Sequence, residues 1–107
     1  MSEYEIAWES TAIAALKKIY KWIEKNADKS SADKVRHEIV TKVDVLRKSP
    51  TSCPLEPSLT HRPEKFRFIK QWEYKIIFEV NEPENQVIVN YIFHTKQSPK
   101  KLAKAIK

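Results

Sequence analysis

The chain has no glycine among its 107 residues. Its turns must be made by Asn, Asp, Pro or Ser, and the phosphate-cradling glycine loops of P-loop and dinucleotide-binding proteins are excluded. Nucleotide-cofactor chemistry is therefore not expected, nor any other cofactor. Cysteine is almost missing as well. Cys53 stands alone, so no internal disulfide and no thiolate metal cluster can form, and a small, partly buried loop residue is its expected role. His37, His61 and His94 show no spacing that places a ligand pair on one helix, and no metal site is expected. No apolar run approaches the roughly 20 residues that span a membrane, and Met1 to Glu5 has neither a basic nor an apolar signal region. A cytoplasmic protein without a membrane partner is expected.

What remains is an ordinary globular composition, 41% apolar and 32% charged, which argues against disorder. The length suits one domain, residues 1–107, with a single modest core. The net charge of +6 is unevenly placed. Residues 1–60 carry ten Lys/Arg against nine Asp/Glu, whereas residues 61–107 carry ten against five. The basic excess lies in the C-terminal half, as a polyanionic or acidic partner would require, although a solvated surface would look the same.

The hydrophobic periods give an α+β order of elements. Tyr4, Ile6 and Trp8 alternate with Glu5 and Ala7, the signature of a short strand with one buried face. Ser10 or Thr11 then caps a helix over Thr11–Asn26, whose stripe is Ala12, Leu16, Ile19 and Ile23, widened by Ile13 and Tyr20. Trp22 falls beside that stripe. Ser31 is the expected N-cap of a second helix reaching Lys48, buried through Ala32, Val35, Ile39, Val43 and Leu46 and stopped by Pro50. The short break between them implies an antiparallel helical hairpin. Thr51 to Glu64, with Pro54, Pro57 and Pro63, reads as an irregular loop. Three antiparallel strands follow at Phe66–Lys70, Glu73–Val80 and Gln86–Phe93, the last two joined by a loop whose Asn81 and Asn85 tolerate left-handed geometry. Ser98 and Pro99 read as N-cap and first residue of a short terminal helix.

Strict alternation sorts the sheet into two faces. Tyr74, Ile76, Phe78 and Val80, with Val87, Val89, Tyr91 and Phe93 and with Phe66 and Phe68, are expected against the helices. The other face then holds Arg67, Lys75, Asn90 and His94, with the tail lysines nearby. Cations there could hold a phosphate backbone, and an imidazole titrates near neutral pH. That is the equipment of a metal-independent ribonuclease; an ordinary solvated face with a strand-end histidine is the alternative.

The order of elements, together with Trp72-Glu73-Tyr74-Lys75-Ile76-Ile77-Phe78-Glu79-Val80 and Ile92-Phe93-His94-Thr95-Lys96-Gln97-Ser98-Pro99, resembles the RelE/ParE superfamily of type II toxin–antitoxin toxins. The second stretch and the long helical hairpin are most similar to the ParE-like plasmid-stabilisation branch. The resemblance implies a growth-arresting toxin held in check by a cognate antitoxin. RelE-like members cut mRNA on the ribosome, whereas ParE-like members poison DNA gyrase. Carried over residue by residue, Lys75 stands where the ribonucleases usually have Arg, and His94 where some place a catalytic histidine. Glu56, in Leu55-Glu56-Pro57, is similar to a Glu-Pro that supplies the base in one branch. Arg67, Lys75, His94 and Glu56 are thus the catalytic candidates, and Lys70, Asn90, Lys96, Lys100 and Lys101 the candidates for target or phosphate binding. Two positions depart from the nuclease pattern: Gln97 replaces a cation and Thr95 replaces a tyrosine. The missing cation at Gln97 and the length of the helices tilt the expectation toward the gyrase-directed mode. A degenerate, non-toxic binding module is the third possibility.

Overall fold

In the computed structural model, which describes residues 3–97 and 99–106, the helical hairpin is built as its stripes require. Helix α1 spans Ser10–Asn26 and buries Ala12, Ala15 and Ile23; helix α2 spans Lys29–Asp44 and buries Ala32, Ile39 and Val43. Small residues at Ala12 and Ala15 let α1 lie close on the sheet, where they share one core with Ile76, Val89 and Ile92. Ile39 is fully buried in that core, and truncating such a side chain to Ala costs about 2–5 kcal/mol. The hairpin is clamped outside the core by Tyr20, whose hydroxyl donates to Asp33 Oδ1 at 2.6 Å beneath the Arg36 guanidinium.

Both expected caps are corrected. Glu9 occupies the N-cap of α1 without a side-chain bond, and the Thr11 hydroxyl donates instead to the Asn90 carbonyl at 2.7 Å. Asp28 caps α2 by accepting from the Ser31 amide at 2.6 Å. That hydrogen bond, stronger to the ionised form, holds the Asp28 carboxyl below its usual range. The second helix ends before Lys48. After Asp44 it tightens into a 3-10 turn, Val45–Arg47, whose last carbonyl accepts from the Tyr4 amide at 2.8 Å.

The sheet has four strands: β1 (Glu5–Trp8), β2 (Arg67–Gln71), β3 (Tyr74–Asn81) and β4 (Gln86–His94), in the order β1-β4-β3-β2. Strand β1 pairs parallel to β4, and the other pairings are antiparallel. Strands β2 and β3 turn on Trp72 and Glu73, so Glu73 lies outside the strand expected to contain it. With no glycine to supply it, positive φ falls on Trp72 (53°) and Asn85 (51°). Asn tolerates this geometry, but a bulky indole does so only at a cost.

A single β-bulge overturns the expected face assignment. Ile77 pairs with Tyr91, but Phe78 pairs with Val89, so Asn90 is an extra residue in β4. Because side chains alternate, one inserted residue inverts the facing of everything beyond it. Val87 and Val89 point toward the helices as expected. Past the bulge it is Ile92 and His94 that do so, while Tyr91 and Phe93 pair with Ile77 and Lys75. Strand β2 is inverted too: Ile69 pairs with Ile76 and Arg67 with Phe78 on the helix side, and Phe68 pairs with Ile77 on the other.

That other face is not open. Leu59 of the 3-10 turn Pro57–Leu59 and Leu102 and Ile106 of the tail pack over Phe66, Ile77 and Phe93 as a second core. Helix α3 runs Pro99–Ala105, and the expected cap Ser98 lies outside the described residues. No described helix is long and apolar enough to cross a membrane.

Candidate functional site

On the sheet face away from the helices, two catalytic candidates meet. Glu56 is the N-cap of the 3-10 turn Pro57–Leu59, and main-chain bonds from Glu56 to Phe66 (2.8 Å) and from Phe68 to Pro54 (3.1 Å) dock that segment on β2. The Glu56 carboxylate, almost fully buried, accepts from Lys75 Nζ at 2.9 Å, from the Ser58 amide at 3.0 Å and from the Ser58 hydroxyl at 2.7 Å. Burial alone would push its carboxyl up. The Ser58 bonds and the Lys75 ammonium outweigh that and bring it below its ordinary range. Lys75 Nζ also sits 4.3 Å from the centre of the Phe68 ring. Both charges are therefore satisfied inside the protein, an arrangement that fastens a loop to a sheet. A general base needs the opposite, a carboxylate facing open space with a pKa raised toward neutrality.

Arg67 does not join them. It lies on the helix side of β2 and donates to the Cys53 carbonyl at 2.6 Å. Desolvation pushes the neighbouring Cys53 thiol up, against the lowering pull of Arg67 and Lys42, so it is held as an unreactive thiol. Asn90 is absorbed by the bulge. Its carbonyl takes the Thr11 hydroxyl, its amide donates to Glu79 Oε2 at 3.1 Å, and its Oδ1 is buried without a partner. Lys70 is exposed and stands opposite Lys75 in register, and Lys100 and Lys101 are exposed on α3.

His94 is on the helix side, through the sheet from Lys75. It meets Tyr74 edge to face with ring centres 5.1 Å apart, and its Nδ1 accepts from the Lys96 amide at 3.1 Å. The two rings line a cleft of about 510 Å³ beside α1, with Trp22, Lys18, Lys96 and Gln97 among the other walls. Burial pushes the Tyr74 hydroxyl up, which keeps it protonated. Of the expected residues, the structure thus joins Glu56 with Lys75 and His94 with Lys96, and separates those pairs from each other and from Arg67.

Sequence reasoning missed Ser58, Phe68, Lys18 and Tyr74. Ser58 had a readable signal, since Glu56-Pro57-Ser58 is an N-cap followed by proline at the first position of a turn. The cleft residues had none, because they meet only once the bulge has turned His94 toward α1. Among the described residues, no group of three or more His, Cys, Asp or Glu could hold a metal ion.

Comparison with known proteins agrees with this architecture. The chromosomal ParDE toxin–antitoxin system of P. aeruginosa contains a chain that superposes with a TM-score of 0.70 at 20% identity, covering 86% of this chain and 96% of that one. A mutant of the E. coli toxin RelE in the free state gives 0.65 at 15% identity, covering 99% and 95%. A chain of the toxin–antitoxin complex RelBE2 from Mycobacterium tuberculosis gives 0.63 at 16%, covering 88% and 93%. At such identities these likenesses show the shared fold. No curated protein matches the sequence. The family described as ParE toxin of type II toxin-antitoxin system, parDE, matches residues 6–99. The chain therefore belongs to the ParE toxin family of the RelE/ParE superfamily.

Proposed function

We propose that this toxin acts by binding DNA gyrase rather than by cutting mRNA, with residues 1–107 working as one domain and a cognate antitoxin neutralising it. The observation that carries the reading is the division of the nuclease candidates. A ribonuclease of this type needs a base, an acid and a cation around one phosphate, with reacting groups within hydrogen-bond reach of the same substrate atoms. Here the sheet stands between His94 and Lys75, and Lys75 is spent on a buried carboxylate. Arg67 is tied to a backbone carbonyl.

The antitoxin follows from family membership and from the P. aeruginosa and M. tuberculosis neighbours, which are themselves toxin–antitoxin systems. The excess of basic residues suits an acidic, amphipathic segment as the neutralising element. Adding the purified protein to a gyrase supercoiling reaction tests the proposal. Loss of supercoiling, restored by antitoxin, is the expected result; undiminished supercoiling at excess toxin would refute it.

A further inference from the structure

The helix-side cleft has features that neither the fold nor the gyrase reading explains. Trp22 leaves 66% of its surface in solvent, although an indole contributes most when buried or stacked. Tyr74 and His94 form an aromatic wall beside it. The Lys96 amide on Nδ1 leaves Nε2 to carry the hydrogen of the neutral imidazole, so the ring can donate. Lys18 reaches the cleft from α1 and Lys96 from the end of β4. Among the described residues neither ammonium has a hydrogen bond or ion pair, and no carboxylate lines the cleft. Gln97 adds a donor and an acceptor. A volume of about 510 Å³ falls within the usual range for small-ligand sites.

Flat aromatic faces, two unpaired cations and a few neutral hydrogen-bonding groups match one ligand chemistry, a planar heterocycle carrying an anion. We propose that this cleft binds a nucleotide, its base stacked on Trp22 and its phosphate held by Lys18 and Lys96. The lysines take the part that backbone amides play in a glycine loop, so the missing glycines are no obstacle. The exposed indole offers a face on which any base can stack, whereas the apolar anchor of an acidic peptide would need an enclosed pocket. The inference does not depend on gyrase being the target. The site also lies across the sheet from Lys75, so it is separate from any cleavage chemistry.

Titration calorimetry on the full chain with AMP, adenosine, inorganic phosphate and a short single-stranded oligonucleotide tests it. AMP should bind saturably, and both adenosine and phosphate much more weakly. Trp22→Ala should weaken AMP by about tenfold or more, the effect of losing one stacking ring. Lys18→Ala and Lys96→Ala should weaken it and flatten its salt dependence. Trp72→Ala, outside the cleft, should leave binding unchanged. Trp22 is exposed, so its variant is expected to fold, and circular dichroism checks this. An oligonucleotide that binds far more tightly than AMP, with the same need for Trp22, identifies a single strand as the source; equal affinities identify a free nucleotide. The proposal is overturned if AMP and the oligonucleotide bind no better than phosphate. Affinity indifferent to Trp22→Ala overturns it too, as does a cleft saturated only by an acidic peptide.

Discussion

Replacing Lys75 by Met keeps an unbranched apolar side chain at this position and removes the ammonium, together with its contact on the Phe68 ring. The Glu56 carboxylate, whose side chain is 4% exposed, is then left with Ser58 as its partner. Removing one member of a buried ion pair costs about 3–5 kcal/mol, because a charge remains desolvated without its counterion. Lys75 keeps 23% of its side-chain surface in solvent and both Ser58 bonds persist, so the loss should lie near the lower end, about 3 kcal/mol. For a chain of this size that lowers Tm by roughly 12–24 °C. The cost should depend on pH. In the wild type the folded carboxyl ionises below its ordinary value of 4.5. Its stabilisation is therefore complete above that value and is lost as pH falls through the lower, folded one. Glu56→Gln in the Lys75→Met background removes the orphaned charge and should recover about 1 kcal/mol or more. Urea unfolding of the wild type, Lys75→Met, Glu56→Gln and the double variant at neutral pH, repeated under acid, measures the cycle. A loss below about 1 kcal/mol for Lys75→Met, or no coupling between the two substitutions, would show that the pair does not fasten the loop.

Four further outcomes follow from the same geometry. His94→Ala should leave growth arrest intact on induction, since the imidazole lies on the opposite face of the sheet from Lys75 and Glu56; loss of arrest in a folded variant would contradict this. Deleting Asn90 should leave a folded chain by circular dichroism, because a ladder without the extra residue keeps Ile77 opposite Tyr91 and Phe78 opposite Val89, with Ile92 still in its core; loss of the folded state would contradict this. Thr11→Val should cost about 1 kcal/mol in urea unfolding by leaving the Asn90 carbonyl without its hydroxyl donor. Trp72→Gly should not destabilise and should gain up to about 1 kcal/mol by releasing the left-handed strain, whereas Trp72→Val should lose stability.

The helices were legible because their stripes had one solution each. Ala32, Ile39 and Val43 can share only one side of a helix, and they proved to be core. The β3–β4 hairpin was legible for a similar reason, with Asn85 marking its turn. The facing of β4 was not. Val87-Ile88-Val89-Asn90-Tyr91-Ile92-Phe93 is apolar at every position but Asn90, so alternation fits either facing, and one polar residue reads as a solvent-facing position rather than as an extra one. That ambiguity was itself a signal. A strand apolar on both faces is buried on both, and Leu102 and Ile106, four apart in the basic tail, are what cover the second face. Read only as charge, the tail concealed that role. Lys75 was placed by alternation and Glu56 by family likeness, but their pairing beneath the turn at Pro57 depends on long-range contacts that no local pattern announces.

Mapping RNA ends after induction of the wild-type toxin tests the central claim most directly, since a catalytic sheet face would announce itself as cleavage. A toxin that binds rather than cuts should arrest growth with no new ends inside translated codons. Codon-spaced cuts that vanish in His94→Ala, and in the folded Lys75→Met/Glu56→Gln double variant, would contradict it.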